Sequence, residues 1–89
     1  MSREYQGALV VTRKQGDLTY MISENARPIC VEIESLKGAS KVRLGISASK
    51  NCLIFREEVL ERNFPKIYES IFEGEIVTSE MYNSLREQR

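Results

Sequence analysis

The first two thirds of the chain alternate between apolar and polar residues with the period of two that is typical of β-strands. Five short stretches show this alternation or an enrichment in β-branched residues, and turn-forming residues separate them. They are residues 7–14, 19–22, 29–36, 41–47 and 52–55. The pattern therefore predicts five strands, and Gly16 predicts a tight turn after the first.

The third and fourth predicted strands alternate most clearly, and a polar turn that contains Gly38 separates them. We therefore predict that these two strands form an antiparallel hairpin. In that hairpin Arg43 pairs with Glu32 or Glu34 across the strands, and this assignment is at least as good for Arg43 as contact with a ligand.

After the fifth strand the spacing of apolar residues changes to that of helices. Proline at a helix start and glycine at a helix end mark the boundaries of successive short helices. The predicted helices cover residues 56–63; a segment with Asn63 as its cap, Pro65 near its start and Gly74 as its stop; and residues 78–89, capped by Thr78 or Ser79.

Composition and charge are those of an ordinary soluble globular domain. Of the 89 residues, 42% are hydrophobic and 29% are charged, and the formal net charge is zero. Residues 1–58 hold nine lysines and arginines against seven acidic residues, whereas residues 59–89 hold four against six. A net charge of zero argues against a polyanion partner, but the mildly basic body and acidic tail weaken that argument.

Apolar runs in the chain are short. The longest, residues 8–11, is far below the roughly 20 residues of a membrane helix. Residues 1–4 lead into no secretory signal. We therefore expect a cytoplasmic protein without a membrane partner.

Residues suited to catalysis are scarce. The chain has no histidine, which excludes Ser-His and Cys-His nucleophile systems. Cys30 and Cys52 lack the spacing of a metal or redox motif, and we expect two small buried thiols. Glu57 and Glu58 are sequence neighbours and do not face each other, so they make a poor acid/base pair. We expect a protein that is not an enzyme.

Residues 64–89 carry nine large apolar side chains in 26 positions, too many for a disordered extension. We therefore divide the chain into a domain of residues 1–63 and a C-terminal helical extension of residues 64–89. The extension packs on the same domain or on a dimer, or offers a surface to a protein partner. Dimerisation would help a chain of this length, because a small chain buries a small fraction of its surface when it folds alone.

Three motifs resemble those of the carbon storage regulator (CsrA/RsmA) family. Residues 9–17, Leu-Val-Val-Thr-Arg-Lys-Gln-Gly-Asp, resemble its first strand. Residues 41–46, Lys-Val-Arg-Leu-Gly-Ile, resemble its fourth strand, and residues 54–59, Ile-Phe-Arg-Glu-Glu-Val, resemble the junction of its fifth strand and helix. The three motifs stand in the family's order, have nearly its spacing and cover residues 8–60.

The resemblance implies a mainly β fold, in which a five-stranded antiparallel protomer with a C-terminal helix or helices forms an intertwined, strand-exchanged homodimer. Strand one of each chain then lies beside strand five of its partner. Family members bind GGA in hairpin loops or single strands of mRNA, commonly over a ribosome-binding site, and control translation or mRNA stability without a cofactor. The implied partners are therefore mRNA, a second copy of the chain, and a small regulatory RNA or a protein antagonist.

The implied RNA site lies between strand one of one chain and strand five of the other. Strand edges offer backbone groups to the edges of single-stranded bases. Arg56 can bond phosphate or guanine as a planar fork, whereas in an arbitrary protein such an arginine is more often a solvated charge. Arg13 and Lys14 add phosphate contacts. The predicted RNA-binding residues are Val11, Thr12, Arg13, Lys14, Ala48, Ser49, Lys50, Ile54, Phe55 and Arg56.

Four of these positions depart from the family's usual residues. Phe55 replaces histidine and offers a ring for stacking on a base. Ser49 replaces proline and loosens its loop, whereas Lys14 replaces arginine and loses the fork geometry. Val11 replaces leucine. The departures bear on sequence preference and affinity more than on RNA binding itself.

A second function, from a different class, fits the same fold. It is a protein-interaction module whose C-terminal extension binds a protein antagonist or masks the RNA site. The sequence favours the RNA regulator, because Thr12, Arg13 and Arg56 are retained together. Salt separates the two functions, since binding to several phosphates weakens as salt rises and an apolar protein interface does not.

Overall fold

The computed structural model describes residues 9–87, and within them five strands are followed by three helices. The expected mainly β fold with C-terminal helices is confirmed. Residues 7–8 of the first predicted strand and residues 88–89 of the last predicted helix lie outside the described residues. The elements are β1 (Leu9–Arg13), β2 (Leu18–Ile22), β3 (Ile29–Glu32), β4 (Val42–Ile46), β5 (Leu53–Arg56), α1 (Glu57–Asn63), α2 (Pro65–Phe72) and α3 (Ser79–Glu87).

The strands form two antiparallel sheets. One contains β1 and β4, with Thr12 opposite Arg43. The other has the order β3-β2-β5, with Tyr20 opposite Phe55. β1 and β5 therefore each lie at the edge of a sheet within this chain.

The predicted hairpin of the third and fourth strands is wrong, because β3 pairs with β2 and β4 pairs with β1. β3 ends at Glu32, and the next residue, Ile33, bonds instead to the turn between β1 and β2. The Gly16 amide donates to the Ile33 carbonyl at 2.7 Å, and the Ile33 amide donates to the Asp17 carbonyl at 3.1 Å. Arg43 consequently faces Thr12, and the predicted cross-strand pairing with Glu32 or Glu34 does not form.

The predicted glycine stops are confirmed. Gly16 and Gly74 have φ angles of 89° and 76°, a left-handed conformation that glycine adopts without steric cost. Gly16 closes the turn after β1, and Gly74 follows α2, where its amide donates to the Ile71 carbonyl at 3.0 Å. Thr78 caps α3 as predicted, since its Oγ1 accepts a hydrogen bond of 3.2 Å from the Met81 amide.

Asn63 does not cap α2, contrary to the prediction. It is the last residue of α1, and Phe64 occupies the junction between the two helices. The Phe64 amide donates to the Leu60 carbonyl at 2.8 Å, and its ring is buried. Burial of the ring fixes the junction here in place of a polar cap, and Pro65 then starts α2 as expected.

The hydrophobic core joins the three-stranded sheet to the helical tail. One half of the buried cluster comes from β2, β5 and α1, and the other half comes from residues 64–85. Among described residues of the tail, Phe72 and Ile76 remain exposed, at 57% and 55%. The tail therefore completes the core of its own chain. The cluster comprises Tyr20, Ile22, Leu53, Phe55, Leu60, Phe64, Ile71, Val77, Tyr82 and Leu85.

The expectation of two buried thiols is wrong for Cys30, which is exposed, whereas Cys52 is half-buried. Cys30 lies on β3, an edge strand that has a neighbouring strand on one side only within this chain. Both cysteines are free. No helix in the described part of the chain has the length and apolar character needed to cross a bilayer.

Candidate nucleic-acid interface

The ten residues predicted to bind RNA divide by exposure. Five are exposed, two are half-buried and three are buried. Exposed residues can meet a ligand directly, whereas buried ones act through the shape of the surface above them. The exposed residues are Thr12, Lys14, Ser49, Lys50 and Arg56; the half-buried ones are Ala48 and Ile54; the buried ones are Val11, Arg13 and Phe55.

Arg13 is 2% exposed, and both terminal nitrogens of its guanidinium form hydrogen bonds within the chain. Its Nη1 and Nη2 donate to Glu58 Oε2 and Oε1 at 2.8 and 2.9 Å, and Nη2 also donates to the Leu18 carbonyl at 2.8 Å. Its Nε lies 3.8 Å from the carboxylate of Asp17. The predicted phosphate contact is therefore corrected: Arg13 fastens β1 to the start of α1 and does not face solvent.

The ion pair perturbs both partners. Hydrogen bonding to Glu58 raises the pKa of Arg13, against the opposing effect of burial. Hydrogen bonding from Arg13 lowers the pKa of Glu58 to about 2, and the positive charge of Arg56 adds to the lowering. Residues of β1 and of the β5–α1 junction thus meet around Glu58 within one chain.

Phe55 also departs from its predicted role. Its side chain is 7% exposed and packs edge-on against Phe64, with ring centroids 6.0 Å apart and planes at 74°. The ring is therefore unavailable for stacking on a base. Phe55 therefore packs in the core, at a position where the family usually has a polar histidine.

Arg56 is the exposed cation at this junction. It follows Phe55 at the end of β5 and occupies the N-cap position of α1 in extended conformation. Within residues 9–87, Arg56 takes part in no salt bridge or side-chain hydrogen bond. Its fork of donors is therefore open to a phosphate or a base edge.

The loop between β4 and β5 carries Ala48, Ser49 and Lys50. A turn shapes its end, since the Cys52 amide donates to the Ser49 carbonyl at 3.0 Å. Helix α3 supports the same turn, because the Tyr82 hydroxyl donates to the Asn51 carbonyl at 2.6 Å. The tail thus holds the loop in place and leaves Ser49 and Lys50 exposed.

A comparison with protein-family models finds a match to the part of the chain that carries these residues. The model of the CsrA global regulator protein family covers residues 8–63. The chain belongs to the CsrA family. A search of curated proteins and a search of solved structures each found no match.

The CsrA match ends at the last residue of α1, so that it covers all five strands and stops before α2. The family is one of regulatory, RNA-binding proteins. We call the matched residues 8–63 the CsrA segment. The cations on β1, on the β4–β5 loop and at the β5–α1 junction all lie inside it. Helices α2 and α3, which complete the core, lie outside it.

Two exposed cations of the CsrA segment were not among the predicted site residues. Lys41 and Arg43 line an open groove of about 330 Å³ together with Thr12 and Val42. The predicted hairpin gave Arg43 an acidic partner and so assigned it no contact with RNA. The pairing of β4 with β1 removes that partner and puts Arg43 beside Thr12.

Proposed function

We propose that the chain is a post-transcriptional regulator that binds GGA-containing mRNA loops near ribosome-binding sites and so controls translation or mRNA stability. Membership of the CsrA family supports this function. The observation that carries it is Arg56, an exposed guanidinium at the end of an edge strand and inside the motif Phe-Arg-Glu-Glu. In this proposal Arg56 bonds the RNA, and Thr12 and Lys50 contact the RNA next to Arg56. Ile54 and Val11 support the protein surface on which the RNA lies.

Two copies complete the site in this proposal. β1 and β5 are both sheet edges in one chain, and an edge strand presents unpaired backbone groups to a further strand. β1 also exposes Leu9 and Val10, at 42% and 48%. Pairing of β1 with β5 of a second copy covers the unpaired backbone groups of both strands and gives each dimer two RNA sites. Sedimentation equilibrium should then give twice the chain mass of 10.3 kDa.

The RNA proposal is tested by fluorescence anisotropy with a short hairpin RNA that carries GGA in its loop. The native chain should bind this RNA tightly and bind a loop-scrambled RNA weakly. Arg56→Ala should abolish the preference, because the open guanidinium is lost. Arg62→Ala is the matched control, since Arg62 is an exposed arginine in the last turn of α1. Equal binding of both RNAs by the native dimer would contradict the proposal.

The alternative function, recognition of a protein antagonist by the C-terminal extension, has one observation in its favour. Phe72 and Ile76 are exposed, and Tyr68 and Phe72 place their ring centroids 5.9 Å apart. Exposed large apolar side chains favour an interaction surface, and we call Phe72 and Ile76 the apolar patch. Masking of the RNA site is disfavoured, because Lys50 and Arg56 are exposed with the tail in place.

Truncation after residue 63 cannot separate the two functions, because it removes core residues such as Ile71 and Leu85. The variant Phe72→Ser/Ile76→Ser keeps the core. If the patch binds an antagonist, a translational reporter in cells should show stronger regulation with this variant, while RNA affinity in solution stays unchanged. An unchanged reporter leaves the RNA regulator as the only supported function.

A further inference from the structure

The exposed side of the β1–β4 sheet collects positive charge. Thr12 lies opposite Arg43 and Val10 lies opposite Gly45. Continuing the same register by one step puts Lys14 opposite Lys41. These six residues, Val10, Thr12, Lys14, Lys41, Arg43 and Gly45, are all exposed. We call them the outer face of the β1–β4 sheet.

Like charges that face each other across strands destabilise a sheet. Lys14 and Lys41 nevertheless lie across from each other, and Arg43 is two positions from Lys41 on the same side. Within residues 9–87, the salt bridges involve Arg13, Asp17 and Glu58 and none of these three cations. An anion that binds beside these three cations offsets the repulsion between them.

The surrounding sequence reinforces the charge. Residues 35–55 contain no aspartate or glutamate, and they carry Lys37, Lys41, Arg43 and Lys50. The nearest carboxylate along β1, that of Asp17, accepts a hydrogen bond of 2.6 Å from the Lys14 amide and lies near the Arg13 guanidinium. The carboxylate of Asp17 is therefore held by a backbone amide and by Arg13, and among the described residues it forms no salt bridge with the side chain of Lys14, Lys41 or Arg43.

The shape of the outer face selects the kind of anion. The groove lined by Thr12, Lys41, Val42 and Arg43 is open to solvent, so it does not enclose a small ion. A Cβ atom placed on Gly45 meets no atom within 4 Å, so the face is unobstructed beyond Arg43. An open strip with cations two residues apart suits an extended polyanion better than a single phosphate.

We infer that the outer face of the β1–β4 sheet binds the sugar-phosphate backbone of the RNA that flanks the GGA segment. Lys14, Lys41 and Arg43 contact successive phosphates, and Thr12 belongs to both the outer face and the GGA site. This inference rests on the proposed function and extends it: Arg56 provides recognition of sequence, whereas the outer face provides affinity that is independent of sequence.

The test measures how RNA affinity depends on salt for Lys41→Gln/Arg43→Gln. Loss of two phosphate contacts should reduce the slope of log affinity against log salt by about 1.4, at about 0.7 per phosphate on a single strand. Affinity at low salt should fall roughly tenfold or more. The ratio of affinities for GGA and scrambled RNA should stay as in the native chain, because the GGA site is intact.

The matched control is Arg62→Gln/Lys66→Gln, which removes one arginine and one lysine, both exposed, from α1 and α2. Its slope should equal that of the native chain. If the two double variants give the same slope, the outer face does not bind phosphates. Loss of the GGA preference in Arg56→Ala, seen in the same experiments, would then leave the proposed function standing and overturn the inference alone.

A second pair of variants tests the same face without removing a cation. Gly45→Glu adds a carboxylate where the structure has free space, and its backbone φ requires no glycine. RNA affinity should fall severalfold for Gly45→Glu and stay close to native for Gly45→Ala. Equal affinities for the two variants would count against RNA on this face. A native chain that binds neither RNA would overturn both the inference and the proposed function.

Discussion

The Tyr82 hydroxyl donates a hydrogen bond of 2.6 Å to the Asn51 carbonyl, and so joins the last helix to the loop that carries Lys50. Tyr82 is 4% exposed, which fixes the position of its hydroxyl. The contact joins the part of the chain that the family model matches, which contains Asn51, to the part beyond it, which contains Tyr82. The extension therefore shapes a loop of the candidate RNA site.

Tyr82→Phe should lower the free energy of unfolding by about 1 kcal/mol, because one hydrogen bond from a buried tyrosine is lost. RNA affinity should also fall a few-fold, since the loop is less well held. Thr78→Ala is the control: it removes the α3 cap, at a similar cost of about 1 kcal/mol, and leaves Asn51 untouched. Urea denaturation and anisotropy on both variants check this, and equal RNA affinities would show that the hydrogen bond does not support binding.

Glu58→Gln should destabilise the protein by about 1.5–3 kcal/mol, the range for a hydrogen bond to a charged group. The neutral amide cannot compensate the buried guanidinium of Arg13, which is 2% exposed. Glu61→Gln, an exposed carboxylate on the same helix, is the control and should change stability little. Urea denaturation at pH 7 gives both values. A native-like Glu58→Gln would mean that Leu18 and water satisfy Arg13.

The same ion pair predicts how stability depends on pH. The pKa of Glu58 is about 2 in the folded chain, below its ordinary value of 4.5. The unfolded chain therefore takes up this proton more readily than the folded one, so stability is full above about pH 4.5 and declines as the pH falls toward 2. Melting temperatures between pH 7 and pH 2 should fall more steeply for the native chain than for Glu58→Gln. Parallel curves would contradict the assignment.

Leu85→Ala should cost about 2–5 kcal/mol, since Leu85 is fully buried and the change leaves a cavity. Phe72→Ala is the comparison, because Phe72 is 57% exposed, and its effect should stay within about 0.5 kcal/mol. Denaturant unfolding measures both. A small effect at Leu85 would show that α3 is not part of the cooperative unit.

The sequence predicted the elements well and their partners poorly. Period-two alternation and the left-handed glycines are local signals, and both located their strands and stops. The partner of β4 was missed because alternation does not say which strand lies alongside, and β1 is about 30 residues away from β4 in the chain.

The chemistry of the candidate site shows the same limit. Period two puts Arg13 on the face of Val11, which is buried, so the orientation of Arg13 was predictable. Its partner Glu58 is 45 residues away and was not. Phe55 was assigned to the surface by analogy with a polar residue, whereas its apolar ring packs on Phe64. The exposure of residues such as Lys50 and Arg56 depends least on contacts with distant parts of the chain, so it is the easiest feature to predict from the sequence.

The core contains residues from both the strands and the C-terminal extension, and this affects how the chain folds during synthesis. A ribosome completes the strands first, and the core stays incomplete until Leu85 has been synthesised. Until then the nascent chain keeps apolar faces and strand edges exposed, a state open to chaperones and to aggregation. Proteolytic cleavage in α3 before Leu85 would act in the reverse direction, because it separates Leu85 from the core and so destabilises the strands that the core supports.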